Sequence, residues 1–209
     1  MAIIVPTITA ENPHVFREQI ERVQDFAIRI HIDLMDGVFT PNKSVLPEQV
    51  WWPESIEADI HVMFQKPMEI IDRIILLKPR MVIIHAEADV DHRLFAEKLN
   101  ESGILCGVAV LADTPVSTTS SYLSKMQQIL IFSGNIGHQG GSAVDLTLLD
   151  KVAQAKSISS QLEIAWDGGV SDQNVKPLLG NGVTVFNVGG FIHSSRDPKK
   201  AYQQLQGLA

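Results

Sequence analysis

The feature of this 209-residue chain that most limits its fold is the alternation of two kinds of segment. Short apolar runs rich in Val and Ile recur along the chain, and longer stretches with helical spacing of apolar residues lie between them. Such alternation is typical of parallel sheets, in which a helix returns the chain to the start of the next strand. The apolar runs predict strands over residues 2–9, 27–33, 57–63, 80–86, 104–111, 127–133, 161–167 and 183–188.

A helix is predicted after each strand, and several of these helices carry start signals. Asn12, Thr114 and Asp197 each precede a proline as a candidate cap, and proline is tolerated in a first helical turn. Repeated strand–helix units in a chain of this length predict an α/β fold, a single (β/α)8 barrel domain over residues 1–209. An open doubly wound sheet usually has fewer strands and a dinucleotide fingerprint that this sequence lacks. The predicted helices cover residues 13–24, 47–52, 67–77, 91–102, 115–125, 144–156, 171–179 and 197–207.

Composition and charge limit the partners and the compartment. Hydrophobic residues make up 45% of the chain, which is enough for one sizeable core. The formal net charge of -7 argues against a nucleic-acid partner, because phosphate backbones are held by clustered Lys and Arg. Cys106 is the one cysteine, so no internal disulfide can form, and a reducing cytoplasm is predicted. Pro6 interrupts the short apolar N-terminal stretch, so we expect neither a signal peptide nor a membrane partner.

Polar side chains collect at the carboxyl ends of several predicted strands. Strand two ends in HIDLMDG, strand three in DIHVM, strand four in IIHAEA and strand seven in AWDGGV. Barrel enzymes carry their sites at this end, and strand periodicity places His31 and Asp33 on one face. If that face points inward, both residues meet His61 and Asp167. Two imidazoles with two carboxylates predict a site for a divalent ion such as zinc, manganese, iron or cobalt.

Each of these residues alone also has an ordinary structural interpretation. A histidine at a strand end is often a hydrogen-bonded structural group, and an aspartate there is often a turn or cap residue. It is the four together that favour a metal site. For His85 and Glu87, support of the metal ligands and a purely structural role remain open. The histidines on predicted helices and loops are expected at the solvated surface: His14, His92, His138 and His193.

Glycine clusters are the second functional signal. They follow strand six as GNIGHQGGS, strand seven as DGGV and strand eight as VGG. Backbone N–H groups in such loops can surround an anion without Lys or Arg, and phosphate sites in barrels commonly lie at the last loops. Tight turns also use glycine, but pairs on three neighbouring loops favour an anion site.

The order of these motifs resembles one enzyme family. HIDLMDG followed by Phe39, Pro41 and Asn42, then DIHVM, HAEA, GVAVLADTP, GGS and WDGGV, occur as in ribulose-phosphate 3-epimerases. The resemblance runs nearly end to end, from Pro6 to Gly189. It implies a TIM barrel of the ribulose-phosphate-binding type and an isomerase that converts ribulose 5-phosphate to xylulose 5-phosphate in pentose phosphate metabolism. It also implies a homo-oligomer.

The resemblance also implies roles for individual residues. His31, Asp33, His61 and Asp167 would ligate one divalent metal ion, zinc before iron, manganese or cobalt, and Asp33 and Asp167 would be the catalytic acid–base pair. This division suits the chemistry, because moving a proton across a carbon next to a ketone needs a carboxylate on each face and positive charge at the enediolate oxygens. The predicted substrate-binding residues are Thr7, Met35, Met63, Gly137, Gly140, Gly141, Gly168, Gly169, Gly189 and Gly190.

The loops expected to hold the phosphate depart from the family pattern. The family's Asn-Pro-Gly-Phe-Gly-Gly-Gln loop reads NIGHQGGS, with Ile136 in place of Pro, one additional residue and Ser142 in place of Gln. Gly190 stands where the family has a serine. A hexulose 6-phosphate such as allulose 6-phosphate is therefore an alternative substrate, and a non-catalytic descendant that binds metal and sugar phosphate is an alternative class. A barrel decarboxylase or aldolase generally uses a strand-end lysine, whereas the lysines here fall on predicted helices and loops.

Overall fold

The strands close into one parallel barrel. A computed structural model describes residues 2–209, and in it each strand pairs in parallel with the next while β8 pairs with β1. The barrel prediction is confirmed, and each predicted strand is found with ends shifted by no more than a few residues. The strands are β1 Ile3–Ile8, β2 Arg29–Met35, β3 Glu57–Met63, β4 Met81–His85, β5 Leu105–Val110, β6 Gln128–Phe132, β7 Glu163–Asp167 and β8 Val185–Val188.

The connecting segments carry α-helices and short 3₁₀ turns. The α-helices are α1 Pro13–Val23, α2 Ile71–Leu77, α3 His92–Glu101, α4 Asp150–Ile158, α5 Val175–Gly180, α6 Gly190–His193 and α7 Pro198–Gln206. The 3₁₀ turns are Pro47–Gln49, Pro67–Ile70, Val116–Thr119, Leu123–Lys125 and Leu146–Leu149. The short helix α6 was not predicted.

Two predicted helical segments contain no α-helix, and the predicted helix 171–179 begins only at Val175. The segment 47–52 forms only a 3₁₀ turn, and 115–125 forms two separate 3₁₀ turns. In the segment 115–125, the hydroxyls of Thr118 and Thr119 donate to the carbonyls of Pro115 and Val116. Ser and Thr side chains that bind nearby backbone groups in this way disfavour a continuous α-helix. The predicted cap Thr114 makes no capping bond, whereas Asn12 and Asp197 cap α1 and α7 as predicted.

The core has two parts, one inside the barrel and one between the barrel and its helices. Outward strand residues such as Ile32, Ile60 and Val108 pack against the helices. Inside, Ile83 and Leu130 belong to a smaller apolar cluster. No helix within residues 2–209 combines the length and apolar character that crossing a bilayer requires.

A charged cluster closes the amino-terminal end of the barrel interior. Arg29 Nε donates to Asp59 at 2.7 Å, and Arg80 Nη1 donates to the other oxygen of Asp59 at 2.9 Å. Both guanidinium groups also contact Glu163, which accepts a further bond from Gln128. The Arg29 and Asp59 side chains are only 4% and 1% exposed, so each charge depends on its partner. This cluster was not predicted from the sequence.

Candidate metal centre

Strand register brings the four predicted ligands to one point at the carboxyl end of the barrel. Asp33 on β2 lies directly opposite His61 on β3, and His31 lies two residues earlier on the same inward face of β2. Asp167 ends β7 and faces them across the barrel. One ligand atom from each of the four lies within 4.8 Å of all the others. The predicted convergence of His31, Asp33, His61 and Asp167 is therefore present in the structure.

The donor atoms face one another at short range. His61 Nδ1 is 3.1 Å from Asp33 Oδ1, and His31 Nε2 lies 3.4 Å from Asp33 Oδ1 and 3.5 Å from Asp167 Oδ2. Within residues 2–209, neither ring nitrogen of the buried His31 has a hydrogen-bond partner of good geometry. Buried polar atoms are usually satisfied, so an unpartnered imidazole aimed at two carboxylates fits a bound cation.

Burial and mutual charge set the protonation of this cluster. Burial acts to raise the pKa of Asp33, but its interactions with the adjacent His31 and His61 hold that pKa well below its usual range. Burial raises the pKa of Asp167, and repulsion from Asp33 adds to that effect. Burial lowers the pKa of His61 to about 4. Burial acts to lower the pKa of His31, but Asp33 and the charge of Asp167 raise it above its usual value, so negative charge in the cluster attracts a cation. Two carboxylates and two imidazoles are donors that fit a divalent transition metal, which binds imidazoles in their unprotonated form.

His85 and Glu87 lie beside the four-residue cluster. His85 Nε2 is 2.9 Å from His61 Nε2, and His85 Nδ1 is 3.2 Å from a Glu87 carboxylate oxygen. Both histidines are fully buried. Of the two interpretations left open by the sequence, contact with a candidate ligand favours the supporting one.

Two of the histidines expected at the surface are not there. His92 is 8% exposed, and its Nε2 lies 2.9 Å from the His85 carbonyl. His193 is partly buried, with its Nε2 2.9 Å from the Thr7 carbonyl. The prediction was wrong for these two, because helices packed on a barrel turn one side inward, and it was correct for His14 and His138.

A cavity of about 460 Å³ opens above the cluster. Asp33 and Asp167 line the cavity, whereas the buried His31 and His61 are not among its lining residues. Among residues 2–209, those lining the cavity include no Lys or Arg, so an anion there would depend on neutral donors. All ten predicted substrate-binding residues line it: Thr7, Met35, Met63, Gly137, Gly140, Gly141, Gly168, Gly169, Gly189 and Gly190.

Glycine is required where the loops around the cavity approach each other. Gly168 has a φ of +104°, and a Cβ atom there would lie 2.2 Å from the backbone nitrogen of Gly134. A Cβ on Gly190 would lie 2.9 Å from the Cα of Gly140. These glycines therefore hold the loops after β6, β7 and β8 in contact, in addition to any role in anion binding.

Replacing Gly168 by alanine should destabilise the protein by at least about 1–3 kcal/mol, since it combines a strained φ with a backbone clash. Equilibrium urea unfolding measures the loss. The control is Gly180→Ala at the end of α5, where an added Cβ meets nothing within 4 Å and a gain of about 0.5 kcal/mol is expected. Equal stability of the two variants would show that the fold does not require glycine at position 168.

Several residues at the site were missed by the sequence analysis. The Thr9 hydroxyl donates to Asp33 Oδ2 at 2.6 Å, and the Asn187 amide contacts Asp167 Oδ2 at 3.5 Å. Gln139, in the loop with the additional residue, lines the cavity and donates to the Thr7 carbonyl at 2.9 Å. Thr9 and Asn187 occupy positions that face the barrel interior in the alternation of β1 and β8. Polar residues at the inward-facing positions of every strand end were therefore the sequence signal that could have revealed them.

Comparison with known proteins identifies the family of this chain. The profile of the Ribulose-phosphate 3 epimerase family matches residues 3–193. The chain is 30% identical over 217 aligned positions to a ribulose-phosphate 3-epimerase of Helicobacter pylori strain J99, covering 100% of this chain and 98% of the relative. It is 27% identical to the Bacillus subtilis ribulose-phosphate 3-epimerase, covering 85% of each. A structure of 3-hexulose-6-phosphate synthase from Salmonella typhimurium superposes with a TM-score of 0.68 at 15% sequence identity. The match covers 100% of this chain and 98% of that structure, and it supports the barrel fold. The chain therefore belongs to the ribulose-phosphate 3-epimerase family.

Proposed function

We propose that this protein epimerises a ketose phosphate at C3, with ribulose 5-phosphate converted to xylulose 5-phosphate as the first choice. The observation that carries the proposal is the pair of carboxylates, Asp33 and Asp167, which reach one cavity from β2 and β7 beside two buried imidazoles. Family membership supports the same reaction class.

In the proposed mechanism the two aspartates exchange a proton with opposite faces of C3. One carboxylate removes the proton, and the other returns a proton from the other side, which inverts the carbon. The Thr9 hydroxyl holds Asp33 through a bond of 2.6 Å, and Asn187 holds Asp167. Both carboxylates belong to barrel strands, so the rigid sheet fixes their separation.

The metal would be held by His31, Asp33, His61 and Asp167. Bound there, a divalent ion would supply the positive charge that stabilises the enediolate oxygens. The mixed nitrogen and oxygen donors are consistent with zinc as the first choice of metal and with iron, manganese or cobalt as alternatives. Met35 and Met63 are paired across β2 and β3 and provide an apolar wall that limits water at the reacting carbon.

The phosphate is assigned to the glycine loops. Gly168, Gly169, Gly189 and Gly190 border the cavity beside the loop that contains Gly140. Their backbone N–H groups are neutral donors, which the cavity needs because its described lining has no Lys or Arg. Barrels commonly bind phosphate at the loops after strands seven and eight.

Incubation with ribulose 5-phosphate in deuterated water tests the reaction. Deuterium is expected at C3 of recovered ribulose and xylulose 5-phosphate, as read by proton NMR. Absence of exchange with every pentulose and hexulose phosphate tried would reject the enzyme and favour the non-catalytic, sugar-phosphate-binding alternative.

A hexulose 6-phosphate is the second candidate substrate. The observation behind it is Gln139, which lies in the loop that differs from the family pattern and places an amide in the cavity wall. Comparing kcat/KM for ribulose 5-phosphate and allulose 6-phosphate decides between the two. A higher value for the hexulose would replace the first choice.

Removal of the metal should lower the melting temperature of the protein. A ligand that binds the folded state at 100 times its Kd adds about 2.7 kcal/mol of stability, so a chelator should remove an increment of this order. Differential scanning fluorimetry before and after chelation, with zinc or manganese then restored, measures it. Unchanged melting under all three conditions would argue against a resident metal.

A further inference from the structure

We propose that Glu87 and His85 are positioning residues that select the tautomer of His61, so that His61 Nδ1 presents a free lone pair to the metal site. The inference rests on the proposed metal site and deepens it. It concerns the placement of two protons among two buried histidines and the partly buried Glu87.

Glu87 fixes the first proton. Its Oε1 accepts the Leu111 backbone N–H at 3.0 Å, and its Oε2 faces His85 Nδ1 at 3.2 Å. An ionised carboxylate can only accept hydrogen bonds. His85 therefore carries a proton on Nδ1, and in a neutral ring this leaves Nε2 as an acceptor.

His85 in turn fixes the second proton. Its Nε2 lies 2.9 Å from His61 Nε2, with the ring centroids 4.9 Å apart and the planes inclined by 27°. Nearly coplanar rings joined end to end at this distance make an N–H···N hydrogen bond. Because His85 Nε2 accepts, His61 Nε2 must donate.

The result is a free lone pair on His61 Nδ1. That atom is 3.1 Å from Asp33 Oδ1, so two acceptors face each other at close range. A cation between them removes the repulsion, and a metal ligand nitrogen must be unprotonated. The reverse arrangement would put a proton on His61 Nδ1 and would require a doubly protonated His85.

Because the Leu111 N–H fixes which end of the side chain faces His85, Glu87→Gln tests the proton arrangement selectively. The glutamine carbonyl is expected to keep the bond to Leu111, so its NH₂ group must face His85 Nδ1. His85 would then accept at Nδ1 and donate from Nε2, and His61 would carry its proton on Nδ1. We expect a 10- to 100-fold loss of zinc affinity, as is typical when a residue behind a metal ligand is replaced. The control is Glu97→Gln on the exposed face of α3, with affinity unchanged.

Nitrogen-15 NMR of the histidine side chains reads the tautomers directly in metal-free protein at neutral pH. We expect His61 protonated at Nε2 and His85 at Nδ1 in the wild type, and both reversed in Glu87→Gln. A doubly protonated His85 or a proton on His61 Nδ1 in the wild type would overturn the proposal. This NMR measurement needs no metal and no substrate. Its outcome can therefore be distinguished from a loss of epimerase activity or of metal binding.

Zinc titration against a chromophoric chelator separates tautomer selection from simple packing. Glu87→Ala removes the acceptor without adding a donor, so zinc affinity should fall less than in Glu87→Gln. If Glu87 only filled space, the nearly isosteric glutamine would be the milder change. Affinity lower in the alanine variant than in the glutamine variant, with both folded by circular dichroism, would also overturn the proposal.

Discussion

Asp167→Asn is expected to lower deuterium incorporation at C3 by at least about 10³-fold, since a positioned acid or base contributes about 10²- to 10⁴-fold and Asp167 is also a proposed metal ligand. Asparagine is nearly isosteric but cannot exchange a proton at this site. Asp167 ends β7 and reaches the cavity, so the replacement removes the carboxylate from one face of the proposed substrate. The exchange rate with ribulose 5-phosphate, followed by NMR, is the measurement.

Asp25→Asn is the matched control, because Asp25 is exposed and outside the cavity lining. Its exchange rate should equal that of the wild type. Asp33→Asn should show a loss as large as that of Asp167→Asn, because inversion needs a carboxylate on both faces. Full exchange in either site variant would exclude that residue from the acid–base pair.

Arg29→Met should cost about 3–5 kcal/mol of unfolding free energy, the usual effect of removing one partner from a buried ion pair. Asp59 is 1% exposed and would keep only its bond to Arg80 at 2.9 Å, while Glu163 would lose its bond to Arg29 at 3.1 Å. The charge left on Asp59 would lie inside the barrel with little access to water. Equilibrium urea unfolding with an unchanged m-value measures the loss.

Arg17→Met on the exposed side of α1 is the control and should change stability by no more than about 0.5 kcal/mol. If Arg29→Met does not fold, Arg29→Lys keeps the charge but loses the forked geometry, and an intermediate loss is expected. Adding Asp59→Leu to Arg29→Met should recover part of the loss, since the buried carboxylate that lost one of its two arginine partners is then gone. A loss below about 1 kcal/mol in Arg29→Met would show that the cluster is not needed for stability.

The strand pattern and the site ligands could be predicted because both depend on local periodicity. The period of two along HIDLMDG places His31 and Asp33 on one face, and a closed parallel barrel then brings all strand ends together. The helical segments were less predictable. In the stretch 115–125 the Ser and Thr hydroxyls compete for backbone groups, and apolar spacing alone does not reveal that competition.

The sequence by itself determined the barrel, the side of the sheet on which each strand residue lies and the four candidate ligands, because alternation and strand parity are properties of the chain. The tertiary structure decided which distant residues meet. It paired Arg29 with Asp59 and Glu163 inside one end of the barrel, and it placed Thr9 on Asp33 at the other. It also joined Glu87 to His61 through His85. These contacts depend on strand register and barrel closure, which fix distances between residues far apart in sequence and which no local pattern encodes.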